Sequence, residues 1–278
     1  MAKKKKSPII IIVCTVLGVA LLLTTICCKD KTKITNTDQL RSSRTHEGNA
    51  PDLLEIPNLT VSRSEQIITH KGYTVSYNSD WCVPNWVAYE LTKDEASGNE
   101  ERADRFEPDP DVKGTSPTFR DYSHSEYDRG HMAPAGDMKW DKTAMKESFY
   151  LSNICPQDHN LNSGDWNDLE MKIRYWARKY GNIYIACGPI MSNNPETIGY
   201  NNVAVPDAFY KVCLCQINGE WQALGFIFKN VAGHNPLSSY CKSIDEVEEI
   251  TGIDFFPKLE DKIENRVEAQ YNSNIWGL

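Results

Sequence analysis

The chain has 278 residues, 40% of them apolar, enough to fill one large domain or two small ones and too many for a disordered chain. The formal charge is −8, and with Lys3 to Lys6 set ahead of an apolar segment the remainder carries −12, which excludes a protein that grips polyanions through bulk positive charge. Any polyanion site must therefore be a local cleft, for which Arg102, Arg105, Arg120, Arg129, Lys172, Arg174 and Arg178 are available.

Lys3-Lys4-Lys5-Lys6 precedes an uncharged stretch from Ser7 to Cys28, long enough to cross a bilayer as a helix. The positive-inside tendency keeps the lysines cytoplasmic and exports the rest, so a retained membrane anchor is expected. The alternative is secretion after signal cleavage, although an A-x-A-like site is absent; lipidation at Cys27 or Cys28 would lack the usual small preceding residue. Lys29 to about Ser64 reads as a solvated linker. The expected divisions are thus 1–28 for the anchor or signal segment, 29–64 for the linker and 65–278 for the folded domain.

Ile67-Ile68-Thr69 and Tyr73 to Tyr77 read as strands around a turn at Lys71-Gly72, and Trp86 to Leu91 as another, from their β-branched and aromatic content. Glu95 to Pro117 is charged and carries three prolines, so it reads as a loop, and loops of that length inside a domain are often functional. Asp141 to Ser148 suits a short helix and Phe149 to Ile154 a strand. Asn162 to Tyr180 is the clearest helix: Trp166, Leu169, Ile173 and Trp176 make an apolar stripe that Gly181 ends. Asn182 to Ile190 reads as a buried strand, and Asn218-Gly219 as the turn of a hairpin joining Phe209–Gln216 to Trp221–Phe228. Ser243 to Thr251 reads as a helix with a Ser243–Glu246 capping box, and a charged helix follows Pro257.

Six cysteines lie outside the apolar segment: Cys82, Cys155, Cys187, Cys213, Cys215 and Cys241. Export would permit up to three disulfides, with buried thiols as the alternative. Cys213 and Cys215 are expected to face opposite sides of one strand and not to pair. No zinc set is visible.

The stretch Asp128-Arg129-Gly130-His131, followed by Asn153, Pro156-Gln157, Asn162, Gly164, Trp166 and Leu169-Glu170, resembles the signature of the sugar-nonspecific DNA/RNA endonucleases. The similarity continues through Pro84 to Tyr89, Val205 to Phe209 and Thr251 to Pro257, covering roughly residues 65 to 260. It implies an α+β, ββα-metal fold with a central antiparallel sheet flanked by helices. It also implies hydrolysis of phosphodiesters in DNA and RNA with one hydrated Mg²⁺, for which Mn²⁺ is a substitute.

Such hydrolysis needs a deprotonated water, neutralisation of the transition-state charge and help for the leaving oxygen. An imidazole near pH 6.5 suits the first, and the resemblance assigns the general base to His131. By resemblance Asn162 is the metal ligand, Glu170 holds a metal-bound water, and Arg174 lies near the substrate phosphates. Read from residue type alone, Asn162 would cap its helix, and Glu170 and Arg174, four apart, would form an ordinary surface pair. Arg129 offers a guanidinium fork for phosphate oxygens. Arg102 best matches a further family arginine that stabilises transition-state charge, with Arg105 its rival. Asp128 and Asn153 are grouped with Arg174 on the substrate side, Asp128 orienting its neighbours and Asn153 steering His131. Trp140 and Trp166 read as core. Contacts to phosphate and metal carry no sequence information, so weak base selectivity is expected.

Two other readings stand beside the nuclease: an inactive relative kept as a tethered binding module, and a phosphodiesterase for small nucleotides. The membrane enters as a partner through the N-terminal segment, and a homodimer stays open.

Overall fold

The computed structural model describes residues 52–278, so the expected anchor and most of the linker lie outside the described residues. Among those described, no helix is long and apolar enough to cross a membrane.

The strands in chain order begin with β1 (Asn58–Leu59), β2 (Gln66–Thr69), β3 (Thr74–Asn78), β4 (Val83–Leu91), β5 (Asp128–His131) and β6 (Ile154–Gln157). They continue with β7 (Ile183–Ile190), β8 (Thr197–Ile198), β9 (Val203–Ala204), β10 (Ala208–Ile217), β11 (Glu220–Lys229), β12 (Cys241–Lys242) and β13 (Ile253–Asp254). The helices are α1 (Lys142–Glu147), α2 (His159–Ser163), α3 (Asp165–Tyr180), α4 (Ile244–Thr251), α5 (Asp261–Glu268) and α6 (Ser273–Trp276). Seven strands form one antiparallel sheet in the order β12-β11-β10-β7-β4-β3-β2. The β10–β11 hairpin turns at Asn218 and Gly219, whose φ values of 55° and 82° are the pair that a two-residue primed turn demands.

The sheet separates two cores. On β10, Phe209, Cys213 and Cys215 face one side, packed with Val87, Ile185, Cys187 and Phe226 against the α3 stripe of Trp166, Leu169, Ile173 and Trp176. Tyr210, Val212 and Leu214 face the other, packed with Trp86, Ala186, Ile244, Val247, Phe255 and Val267. Each large side chain so buried contributes about 1.5–3 kcal/mol, and the alternation fixes strand register because a one-residue slip would exchange the two cores.

Several expectations change. Cys213 and Cys215 share a face, because residues two apart on a strand project the same way. All six described cysteines are buried free thiols. Phe149–Ile154 is not a strand: Leu151–Asn153 makes one 3-10 turn, and the strand begins afterwards at Ile154. The long helix is two helices. Asp158 caps α2 by accepting from Asn160 and Leu161 N–H, and the chain breaks at Gly164, where a Cβ would collide with the Asn160 carbonyl. The domain also begins before residue 65, since Leu54 and Glu55 are buried and β1 pairs with β13.

Candidate active site

On the α3 side of the sheet, β5 and β6 pair antiparallel, Asp128 opposite Gln157 and His131 opposite Ile154. Gly130 permits this pairing, because a Cβ there would run into the Gln157 side chain. Arg129 and His131, two apart on β5, both line a cavity of about 420 Å³. Arg102 from the long loop, Asn162 from α2, and Glu170 and Arg174 from α3 line it too. Six of the eight sequence-predicted site residues therefore converge, from four segments spread over more than seventy positions of the chain.

His131 is 8% exposed and wedged between Phe106 and Phe149, with ring centroids 5.4 Å and 4.8 Å away. Its carbonyl accepts from Trp166 Nε1 at 3.3 Å, which ties β5 to α3. Burial, then the Arg102 and Arg129 charges, push the imidazole down to about 3, so it is neutral and able to accept a proton. Nε2 is buried without a partner among the described residues.

The guanidiniums rest on aromatic shelves: Arg129 over Phe106 and Phe119 at 4.9 Å and 4.7 Å, Arg102 over Phe149 at 5.1 Å. Arg105 instead pairs with Glu107 at 3.3 Å and does not line the cavity. Three arginines against one glutamate make the cavity locally cationic in an acidic domain. Arg120, Lys172 and Arg178 do not line it; Lys172 donates to the Gly277 carbonyl and Arg178 to that of Ala96.

Arg174 is held at 2.7 Å by Asp137 rather than by Glu170 one turn before it. Asp137 is fully buried and also accepts from the Tyr89 hydroxyl at 2.8 Å. Glu170 is pushed up to about 7 by burial, opposed mainly by Lys211.

Two residues grouped with the substrate are bonded to their neighbours instead. Asp128 Oδ2 accepts from Asn162 Nδ2 and from His159 Nδ1, each at 2.9 Å. A carboxylate so placed repels phosphate and orients Asn162: with Nδ2 donating to Asp128, the Oδ1 of this cavity-lining residue is a hard oxygen suited to Mg²⁺. The cap of α2 is Asp158, so Asn162 is not committed to capping. Asn153 is fully buried; Oδ1 accepts from Ala133 N–H, and Nδ2 donates to the Ala133 and Ser148 carbonyls. No side-chain hydrogen of Asn153 remains for substrate, so it anchors the segment after His131.

Sequence reasoning missed Asp137, Ser163, Asn167 and Lys211. Ser163 and Asn167 line the cavity and Asp137 sets Arg174, yet only their nearness to the motif hinted at this. Lys211 had a clearer signal, a lone cation in an otherwise apolar strand. It is fully buried behind the site, 4.3 Å from the Trp166 ring centroid and 3.4 Å from the carbonyl of Met132, the residue after His131.

The chain was compared with known proteins. Residues 51–262 match the family model described as DNA/RNA non-specific endonuclease. Human "Nuclease EXOG, mitochondrial" is 37% identical over 211 residues, 69% of this chain and 57% of that protein, so the chain spans little more than half of this relative. "Nuclease C1" of Cunninghamella echinulata var. echinulata is 36% identical, covering 71% of this chain and 85% of its own. Human "Endonuclease G, mitochondrial" is 31% identical over 70% of each chain. A chain in the crystal structure of an EndoG/EndoGI complex superposes with a TM-score of 0.66 at 30% identity, covering 71% of this chain and 88% of that one. The architecture is thus the α+β, ββα-metal arrangement, a central antiparallel sheet flanked by helices.

Proposed function

This chain belongs to the DNA/RNA non-specific endonuclease family, and from that premise we propose that it is a metal-dependent endonuclease hydrolysing phosphodiester bonds in DNA and RNA. The observation that carries the reading is a neutral imidazole, its Nε2 without a partner among the described residues, lining a cavity with three arginines and one asparagine. His131 takes a proton from the attacking water; a scissile phosphate beside it supplies negative charge that offsets Arg102 and Arg129 and strengthens the base. Arg129 and Arg174 hold phosphate oxygens, and Arg102 answers the charge that develops in the transition state. Asn162 would hold Mg²⁺, or Mn²⁺ in its place, through Oδ1, with Glu170 binding a water of the ion. When bound, the ion polarises the phosphate and the departing oxygen. Every contact addresses backbone phosphate, so DNA and RNA both serve.

The deciding assay incubates the full chain with plasmid DNA and with RNA, with Mg²⁺ or with EDTA. Cleavage of both polymers that EDTA abolishes is expected; cleavage that survives EDTA, or none under either condition, sinks the reading and in the second case leaves a binding module. The N-terminal segment is proposed as a retained anchor, and a mature mass lacking the first 20 to 30 residues would refute it.

Lys211→Met tests the buried cation. Burial raises Glu170 to about 7, so its carboxylate forms as pH rises through neutrality, and Lys211 is the largest influence favouring that carboxylate. Without Lys211 the acidic limb of the kcat/KM profile moves to higher pH, and a shift of about one pH unit lowers the rate at neutral pH about fivefold, because the ionised fraction of a group titrating there drops from about one half to about one tenth. A bound cation lowers the limb in both proteins, so the comparison is between them. An unmoved limb would show that Lys211 serves packing alone.

A further inference from the structure

On the face of the sheet opposite the cavity, α4 and α5 pack through Ile244, Val247 and Val267. Asp245 and Glu248, one turn apart on α4, share a helix face, and Glu268 ends α5. One carboxylate oxygen from each of the three lies within 4.8 Å of the others. None has a Lys or Arg partner among the described residues.

An acidic cluster on a surface is ordinary, but Glu268 is not on the surface. It is 7% exposed, and its Oε1 is buried with no hydrogen-bond partner. Burying a carboxylate oxygen among other carboxylates without a donor is costly. Glu248 spends one oxygen on the Phe255 N–H at 2.8 Å, which leaves the other for a ligand. We propose that Asp245, Glu248 and Glu268 form a calcium site that fastens α4 to α5, separate from the catalytic cavity.

An all-carboxylate donor set selects a hard divalent cation. Ca–O distances of about 2.3–2.6 Å let opposed oxygens stand about 4.6–5.2 Å apart, whereas Mg–O of about 2.0–2.1 Å allows no more than about 4.2 Å. Three oxygens within 4.8 Å of one another fit the larger calcium sphere, which also takes more oxygen ligands in a looser geometry than magnesium.

The test uses the full chain stripped with EGTA at pH 8, reading the unfolding temperature against added CaCl2 and, separately, MgCl2, with calorimetric titration of CaCl2 alongside. CaCl2 well above its Kd is expected to raise the unfolding temperature by roughly 5 °C. Asn162→Ala should gain as much, because that carboxamide belongs to the other site, whereas Glu268→Gln and Asp245→Asn should gain little or nothing. Asp245 is exposed, so its variant tests the site even if Glu268→Gln folds poorly. Equal gains in parent and Asp245→Asn, no calcium binding by the parent, or a larger gain from MgCl2 would each overturn the assignment. Cleavage activity is not the readout, so failure here is separable from failure of the nuclease reading.

Discussion

His131→Ala is expected to slow cleavage of both DNA and RNA about 10²–10⁴-fold, the range in which a positioned general base contributes. The loss should fall on kcat, since in the proposed mechanism the side chain abstracts a proton rather than gripping the polymer, and the cavity's arginines stay in place. Truncation also removes a ring lodged between Phe106 and Phe149, so a collapsed site would add to the loss. His131→Asn separates the two effects: it fills more of the space but cannot act as a base near neutral pH, and should be nearly as slow. Single-turnover cleavage and the unfolding temperature should be measured on both variants. An alanine variant as fast as the parent would remove the imidazole from the mechanism.

Asn153→Ala is expected to destabilise the domain by about 3 kcal/mol, because three buried backbone groups lose their partners and each orphan costs about 1–3 kcal/mol. For a domain of this size that lowers the unfolding temperature by roughly 6–12 °C. The lost bonds hold Ala133, two residues beyond His131, so kcat should fall as well while KM for DNA changes little. That pattern decides between the two views of this residue. A substrate contact would raise KM and leave the unfolding temperature alone, whereas a buried brace lowers the temperature first.

The helical stripe of α3, the Asn218-Gly219 hairpin and the Ser243–Glu246 capping box were legible because each depends on residues within a few positions of one another. The errors arose where a choice was not local. Gly164 breaks a helix whose apolar periodicity runs on because of a clash with a carbonyl four residues back. Asn153, grouped on the substrate side and expected to steer His131, spends its whole carboxamide on backbone groups that only the fold brings to it. Cys213 and Cys215 are the exception, since their shared face follows from the local two-residue alternation of a strand.

Sequence alone determined the chemistry on offer: an imidazole, guanidiniums, a carboxamide and a carboxylate in an order that matches a phosphodiester-cleaving family. It also determined the local elements, since period and capping are short-range properties of the chain. Tertiary structure decided which arginine of the Arg102–Arg105 pair lines the cavity, that Arg174 answers to Asp137, and that Lys211 lies buried behind Glu170. Those partnerships join residues as many as 41 positions apart, as with Glu170 and Lys211. Burial and charge proximity act through space, and no spacing along the chain encodes them until the sheet has set its two faces.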